Sequence, residues 1–276
     1  MRKFVFGGSY ASAVPLLLDL YPATAAYSLR KLRNGYTGSA IRVRRSSDNT
    51  EQDIGFVGND LDTASLSSFV GANDGFVTTW YDQSGNSNNM TQASASLQPL
   101  MVVSGTLQTK GSKPAMYVDS DNMGAGNIPA FNTYPFSYWS VAAGFALNTL
   151  YGLFRTDNNS RIAAWLDTRT SPIRNLNIET STGSFFGDLS TAYNNTNQRI
   201  LSGIIDSSFN YQAYDNGNTG GSGTATGTYL NNDLRIYQQR VQSFKGYGQE
   251  FIFFSTDESA NRTAIESNIN GYYGIY

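Results

Sequence analysis

The chain contains no cysteine and no histidine among its 276 residues. Without cysteine, a disulfide framework and a thiolate metal site are both excluded. Without histidine, zinc loses its usual nitrogen ligand and a serine-type triad loses its base. Carboxylate, carbonyl and amide oxygens remain as possible ligands, so calcium is the one ion left open. Otherwise we expect no cofactor. Any catalysis must therefore use Asp, Glu, Lys or Tyr side chains.

Charge is scarce as well. Only 14% of the residues are charged, and the formal net charge is −2. Non-specific binding of nucleic acid relies on Lys and Arg to neutralise phosphates, so this composition argues against a nucleic-acid partner. No apolar run is long enough for a membrane-spanning helix. The apolar residues 14–18 are too few for a signal peptide and are broken by Pro15, so we predict no cleaved signal.

The residues that are abundant favour β structure. Glycine (27), tyrosine (18) and phenylalanine (16) are plentiful, and short apolar runs alternate with Gly- and Asn-rich turns, which is typical of β-sandwiches. Residues 40–44 alternate strictly, which predicts a strand with Ile41 and Val43 facing inward. Further strands are predicted near residues 76–81, 99–103, 114–118, 136–146, 150–155, 161–167, 173–179, 199–205, 209–214, 233–239 and 248–254.

A few short helices are predicted around these strands. Residues 22–35 show helical spacing of apolar residues between Pro22 and Gly35, and residues 60–69 show it more loosely. An S-x-x-E sequence at residues 255–258 predicts a capping box for a C-terminal helix that ends at Gly271. The Gly-rich residues 215–228 are predicted to be the most flexible loop.

The domain division predicted is an N-terminal arm, residues 1–20, and one domain, residues 21–276. Phe4-Val5-Phe6 precedes a pair of glycines, Gly7-Gly8, that could act as a hinge. Such an arm would bury its apolar residues by adding a strand to another chain. Equally, it could be the first strand of its own sandwich. The first alternative makes residues 1–20 an assembly element.

Polar turn formers follow a predicted buried strand at residues 80–92, which read WYDQSGNSNNMTQ. Aromatic faces stack on sugars while Asp, Gln and Asn bind hydroxyl groups, so this corner is a candidate carbohydrate-binding site. The alternative is structural: the aromatic residues belong to the core, and the polar side chains hold the turn by bonding backbone amides. The candidate binding residues are Trp80, Tyr81, Asp82, Gln83 and Asn86.

Arginines on a predicted strand form a second candidate site. The arginines are Arg42, Arg44 and Arg45, of which Arg42 and Arg44 share a strand face. Three carboxylates follow closely, at Asp48, Glu51 and Asp53. The cluster could bind an acidic ligand. The alternative, which we favour, is a network of ion pairs on a solvated face.

The sequence also carries a family resemblance. Residues 80–92, together with Ala26–Leu29 (AYSL), Tyr36–Gly38 (YTG) and Val43–Asp48 (VRRSSD) upstream, follow the order of motifs in the catalytic domain of fungal-type α-L-arabinofuranosidase B. Good matching covers about the first third of the chain, and a looser match returns at the C-terminus. The resemblance implies a concanavalin A-like β-sandwich, or jelly roll. Chains with the same opening also resemble surface proteins of tailed-phage virions.

The resemblance implies two catalytic carboxylates that are not evident here. The family's nucleophilic glutamate lies in a stretch like VDMENNLFSG, and the matching residues 178–187 place Ser181 at that position. The family's acid is an aspartate just before the penultimate strand, and residues 237–243 contain none. The family's vicinal cysteine pair is also missing. We therefore expect no α-L-arabinofuranosidase activity.

Glycoside hydrolysis needs two carboxylates across a cleft. Glu179 keeps a carboxylate two residues before Ser181. If the chain is an enzyme, Glu179 together with Asp167 or Asp188 is the candidate pair. Nothing in their sequence spacing requires this pairing.

The function predicted from these observations is non-catalytic. We expect a phage virion surface protein (a capsid decoration, fibre or tail component) that adheres to a glycan and is extracellular after release. Its predicted partners are other virion proteins, or further copies of itself held through the N-terminal arm. One alternative is an arabinofuranosidase-like glycoside hydrolase. A second alternative is a purely structural capsid cement protein.

Overall fold

The computed structural model describes residues 13–131, 134–144, 150–156, 162–167, 173–180, 183–189, 197–226, 233–237 and 244–276. The helices are α1 (Leu17–Leu20), α2 (Thr63–Val70) and α3 (Arg262–Tyr273). The strands are β1 (Ala25–Ser28), β2 (Ile41–Arg45), β3 (Glu51–Ile54), β4 (Phe56–Val57), β5 (Asp60–Leu61), β6 (Gly75–Trp80), β7 (Met90–Thr91), β8 (Leu100–Val103), β9 (Thr106–Leu107), β10 (Thr109–Lys110), β11 (Lys113–Pro114), β12 (Met116–Asp119), β13 (Met123–Asn127), β14 (Phe136–Gly144), β15 (Leu150–Arg155), β16 (Ile162–Asp167), β17 (Ile173–Thr180), β18 (Gly183–Leu189), β19 (Arg199–Ile205), β20 (Asn210–Asp215), β21 (Asn218–Thr224), β22 (Asp233–Ile236) and β23 (Lys245–Phe254).

The strands form two antiparallel sheets that face each other. The first sheet runs in the order β3-β2-β6-β7-β13-β22-β15-β16-β17-β18. The second sheet runs in the order β1-β23-β14-β19-β20-β21. Strand β12 extends the β1 edge of the second sheet, and β8 pairs with both β12 and β6, which joins the two sheets. The prediction of an all-β sandwich with short peripheral helices is confirmed.

Large aromatic side chains fill the space between the sheets. Trp80 from the first sheet meets Phe251 from the second edge to face, with ring centroids 6.1 Å apart, and Phe154 meets Phe253 at 4.9 Å. All four are fully buried. Edge-to-face contacts of this kind add about 0.5–1.5 kcal/mol each beyond the burial of apolar area. The aromatic-rich sequence therefore supplies the sandwich core.

A second apolar cluster covers the outer face of the second sheet. Ile265 and Ile269 of α3 pack with Trp139 of β14, and Leu17 and Leu18 of α1 join the same cluster. Leu17 and Leu18 are therefore part of this domain's own packing. Residues 1–12 lie outside the described part of the chain, so the assembly role given to the arm stays a prediction.

The helix predicted at residues 22–35 is wrong. Residues 25–28 form the strand β1, paired with β23. Ala25 and Tyr27 point into the core between the sheets, whereas Ala26 belongs to the cluster under α3. Because both faces of this strand are buried, its sequence has no polar alternation and imitates one side of a helix.

Two details at the C-terminal half also differ from prediction. Helix α3 begins at Arg262 rather than directly after residues 255–258, and it ends at Tyr273, with Gly274 (φ 62°) as its C-cap, rather than at Gly271. The Glu258 amide donates instead to the Ser137 hydroxyl, 3.1 Å away. The short helix expected at residues 60–69 is confirmed as α2.

The segment predicted to be a flexible loop, residues 215–228, is mostly regular. Strands β20 and β21 form a hairpin in which Asp215 pairs with Asn218. The two residues between them, Asn216 (φ 48°) and Gly217 (φ 79°), both adopt positive φ. An Asn-Gly turn of this kind matches the twist of a two-residue hairpin.

Within the described residues, no helix is long and apolar enough to cross a bilayer.

Candidate functional site

The corner after β6 is organised by Asp82, which is 4% exposed. Its Oδ1 accepts hydrogen bonds from the amides of Ala26 and Ser84, both at 2.9 Å. Its Oδ2 accepts from the Asn88 amide at 3.0 Å and from the Ser84 hydroxyl at 2.7 Å. One carboxylate thus fixes the turn and also ties it to β1 of the other sheet.

Gln83 completes this connection between the sheets and is fully buried. Its Nε2 donates to the carbonyls of Ser28 and Arg30, both at 3.0 Å, and its Oε1 accepts from the Leu32 amide at 2.8 Å. The side chain therefore satisfies backbone groups on both sides of the end of β1. Such groups would be costly to bury without partners.

The remaining predicted carbohydrate-binding residues make contacts within the protein as well. Trp80 is fully buried. The partly exposed Tyr81 donates its hydroxyl to Asp53 at 2.7 Å, and the exposed Asn86 donates to the Thr24 carbonyl at 3.0 Å. These contacts agree with the structural interpretation of the corner. Carbohydrate binding by these residues stays a prediction.

The arginine cluster on β2 is an ion-pair network on the sheet surface. Arg42 donates to both oxygens of Asp53 at 2.7 and 2.8 Å, and Arg45 donates to both oxygens of Asp48. Arg44 instead bonds two side-chain amides and lies over the Phe76 ring at 4.6 Å. The paired guanidinium groups leave little unsatisfied charge for an acidic ligand.

Asp121 is a buried carboxyl that sequence reasoning missed. Asp121 is 8% exposed and lies where the chain passes from β12 of the second sheet to β13 of the first. Its Oδ2 accepts from the Asp119 amide at 2.9 Å. Burial, reinforced by the nearby negative charge of Asp119, raises the pKa of Asp121 to about 6. No local sequence pattern marks it, because its burial depends on strands distant in the chain.

The candidate carboxylates for hydrolysis lie on three adjacent strands of the first sheet, β16, β17 and β18. The backbone of Asp167 pairs with that of Arg174, and Arg174 pairs in turn with Asp188. Asp167 and Asp188 are therefore at one level, two strand spacings or about 10 Å apart between Cα atoms. Glu179 is opposite Ser184, near the hairpin end of β17 and β18.

The register separates Glu179 from the other two candidates. Ser184 is four residues from Asp188, so Glu179 is displaced from Asp188 by about 13 Å along the strands. It is displaced from Asp167 by about 16 Å, the length of five residues. Carboxyl groups of retaining glycosidases are about 5–5.5 Å apart and those of inverting enzymes about 6.5–9.5 Å. Ser181 and residues 238–243, where the family's catalytic positions were sought, lie outside the described residues.

The described side chains also bear on metal binding. Across the described ranges, no group of three or more acidic side chains is arranged to hold a metal ion.

Known proteins share both sequence motifs and the fold with this chain. A family model described as "Alpha-L-arabinofuranosidase B, catalytic" matches residues 19–124. The chain resembles the catalytic domain of α-L-arabinofuranosidase B. A probable α-L-arabinofuranosidase B from Aspergillus flavus is 40% identical over 75 residues, and α-L-arabinofuranosidase B from Aspergillus oryzae matches equally. These matches cover 26% of this chain and 15% of each fungal protein.

Solved arabinofuranosidase structures share the fold over nearly the whole chain. A variant of a GH54 α-L-arabinofuranosidase soaked with 4-nitrophenyl α-L-arabinofuranoside superposes with a TM-score of 0.70 at 16% identity. It aligns with 90% of this chain and 62% of its own. An arabinofuranosidase complexed with arabinofuranosyl-α-1,2-xylobiose gives a TM-score of 0.63, also at 16% identity. At this identity the likeness establishes the fold.

The comparisons overturn the predicted function. A non-catalytic virion surface protein was expected, yet the family model and the matching proteins are those of a glycoside hydrolase. The prediction was wrong because it weighed weakly aligned positions in the second half of the chain above the strong match of the first third. The first-third motifs carry the relationship.

Proposed function

We propose that this chain is a glycoside hydrolase domain that removes α-L-arabinofuranosyl groups from larger carbohydrates. The observation that carries the proposal is the family match over residues 19–124. The sandwich shared with arabinofuranosidases over 90% of the chain supports it. The matched segment supplies scaffold, since the Asp82 corner within it bonds backbone groups. We therefore place the reacting groups on later strands.

Asp167 and Asp188 are our candidates for the two carboxylates. Their register positions on β16 and β18 bring their Cα atoms to about 10 Å, whereas Glu179 is displaced along the strands from both. In this scheme one carboxyl group protonates the leaving oxygen. The other either attacks the sugar or activates water.

The test is release of 4-nitrophenol from 4-nitrophenyl α-L-arabinofuranoside by the purified chain. We expect hydrolysis by the wild type, and a loss of about 100-fold or more in kcat for Asp167→Asn and for Asp188→Asn, the usual effect of removing an acid–base group. Glu179→Gln, on the same hairpin, is the matched control and should retain wild-type activity. The 4-nitrophenyl β-D-xylopyranoside serves as the substrate control.

Two results would contradict parts of this proposal. A folded wild-type chain that releases no 4-nitrophenol from the arabinofuranoside would refute the hydrolase function. If activity is lost in Glu179→Gln but survives in Asp167→Asn, the function stands and the assigned carboxylate pair is wrong. Circular dichroism of each variant establishes that a loss of activity is not a loss of folding.

A further inference from the structure

A groove of about 400 Å³ lies on the outer face of the second sheet. It runs over β19, β20 and β21 and is closed on one side by the loop that leads to α3. Its floor is open because β21 reads NTGGSGT, so glycines and small hydroxyl residues occupy positions where larger side chains would fill the space. Pockets for small ligands typically have volumes of about 300–1,000 Å³.

The polar groups that line this outer groove are mostly acceptors. Asp206 Oδ1 accepts hydrogen bonds from the backbone amides of Ser208 and Asn210. Among the described residues, its Oδ2 accepts only from the Asn210 side-chain amide, at 2.8 Å. Asp257 Oδ1 takes the Ser259 amide at 2.9 Å. Each carboxylate oxygen can accept two hydrogen bonds, so both side chains keep unused acceptor capacity.

Gln212 shows the same excess of acceptors at the centre of the groove. Its Nε2 donates to the Gly220 carbonyl at 2.7 Å and to the Ala213 carbonyl at 3.1 Å. Among the described residues its Oε1 has no partner. The braced amide therefore presents its oxygen to the groove, beside the hydroxyl of Ser222.

An apolar surface accompanies these acceptors. The Tyr214 ring lines the groove and is held by the Arg262 guanidinium, which lies 4.4 Å from the ring centroid. Arg262 also pairs with Glu266, so its charge is already balanced within the protein. A ligand in the groove thus meets one aromatic ring and acceptors from two carboxylates and one amide.

This chemistry selects a neutral polyhydroxylated ligand. Hydroxyl groups supply the donors that the acceptors lack, and the CH groups of a sugar pack against an aromatic ring. An anionic ligand is disfavoured by Asp206 and Asp257. We propose that the outer groove is an auxiliary binding site for a neutral glycan chain. The choice of arabinose- or xylose-containing glycans as probes rests on the proposed function.

The outer groove is separate from the candidate catalytic carboxylates. It lies on the outer face of the second sheet, whereas Asp167 and Asp188 belong to strands of the first sheet, of which β18 packs beside β20 and β21 at the edge of the sandwich. A polysaccharide held at the groove would raise the effective concentration of its other segments near the first sheet. The groove should therefore matter for polymers and not for small substrates.

Electrophoresis in native gels that contain soluble arabinoxylan or linear arabinan tests the proposal. We expect both polymers, or one of them, to retard the wild type. Ser222→Ile fills the groove with a residue that strands tolerate, and Asp257→Asn weakens an acceptor. Each of these two substitutions should lower the affinity for the retarding polymer by about fivefold or more. Thr109→Ile, at an exposed strand position in the separate β10–β11 pair and outside the groove lining, is the matched control and should bind as the wild type does.

Three results would overturn the proposal. They are no retardation of the wild type in either gel, equal retardation of Ser222→Ile and wild type, and retardation by the cationic polymer poly-lysine in place of the neutral polymers. The outcome is independent of hydrolysis. Groove-dependent binding without release of 4-nitrophenol refutes the proposed function alone, and release without groove-dependent binding refutes this inference alone. The groove variants and their control should hydrolyse 4-nitrophenyl α-L-arabinofuranoside at the wild-type rate.

Discussion

Replacing Asp82 by alanine removes the acceptor that ties the corner after β6 to β1. Four donors lose their partner: the amides of Ala26, Ser84 and Asn88, and the Ser84 hydroxyl. Only the Ala26 amide belongs to a fully buried residue. Leaving that donor unsatisfied costs about 1–3 kcal/mol, and each lost hydrogen bond that water can partly replace costs about 0.5–1.5 kcal/mol.

We therefore expect Asp82→Ala to lower the free energy of unfolding by roughly 2.5–7.5 kcal/mol, the cost of one unsatisfied donor plus three hydrogen bonds that water partly replaces. A domain of this kind is stable by about 5–15 kcal/mol, so the variant should fold unless its loss lies at the upper end of that range. Urea denaturation, followed by tryptophan fluorescence, measures the shift of the midpoint at constant slope. Asp82→Asn keeps one carbonyl acceptor but presents an NH₂ group to the remaining donors, so its loss should be intermediate.

The matched control is Asn86→Ala in the same turn. Asn86 is exposed, and its amide donates to the Thr24 carbonyl, so water can replace it at a cost of at most about 1 kcal/mol. If Asp82→Ala unfolds within 0.5 kcal/mol of the wild type (about half of one ordinary hydrogen bond), the carboxylate does not organise the corner. A stable Asp82→Ala that loses glycan binding would restore the corner as a binding site.

Three further predictions concern other parts of the sandwich. The raised pKa of Asp121 favours its protonated form in the folded state, so its stabilisation is complete below about pH 4 and is lost as pH rises through about 6. Urea titrations should show Asp121→Asn gaining about 1–2 kcal/mol over wild type as pH rises from about 4 to about 7.5, less than the full effect of the raised pKa because solvent screens this carboxyl; parallel curves would contradict this. Gly248→Ala places a Cβ 1.9 Å from the Tyr237 hydroxyl oxygen and should cost about 1–3 kcal/mol; an unchanged Tm would show that the ring moves freely. Asp53→Ala breaks the exposed pair with Arg42 and should cost under about 1 kcal/mol, so a larger loss of Tm would reveal a structural role for the pair.

The local sequence pattern was sufficient to predict an element where only one face of that strand or helix is buried. Strand β2 alternates along its length, with Ile41 and Val43 buried and Arg42 and Arg44 partly exposed, as predicted. The long apolar runs at β14, β19 and β23 were also recognised, although their two buried faces give no alternation, because they are too rich in aromatic and β-branched residues for loops. The absence of cysteine and histidine fixed which chemistries are impossible, with no need of a structure.

The candidate site shows how far the sequence could go. The motif at residues 80–92 pointed to the family, but the sequence could not distinguish a sugar platform from a structural corner. The partners of Asp82 and Gln83 lie on residues 26–32, more than 50 positions away. Which of the carboxylates Glu179, Asp167 and Asp188 lie at one level depended on strand register, which is set by turn geometry and by how the buried faces of the strands pack together.

The sequence by itself determined the fold class, the excluded chemistries and the family resemblance, because these depend on composition and on short motifs. Tertiary structure alone decided that residues 25–28 form a strand, since α3, more than 200 residues later, buries the face that carries Ala26. It also raised the pKa of Asp121 and opened the outer groove between β21 and the loop before α3. Burial and cavities arise where segments distant in the chain pack together, and local periodicity does not indicate which segments those are.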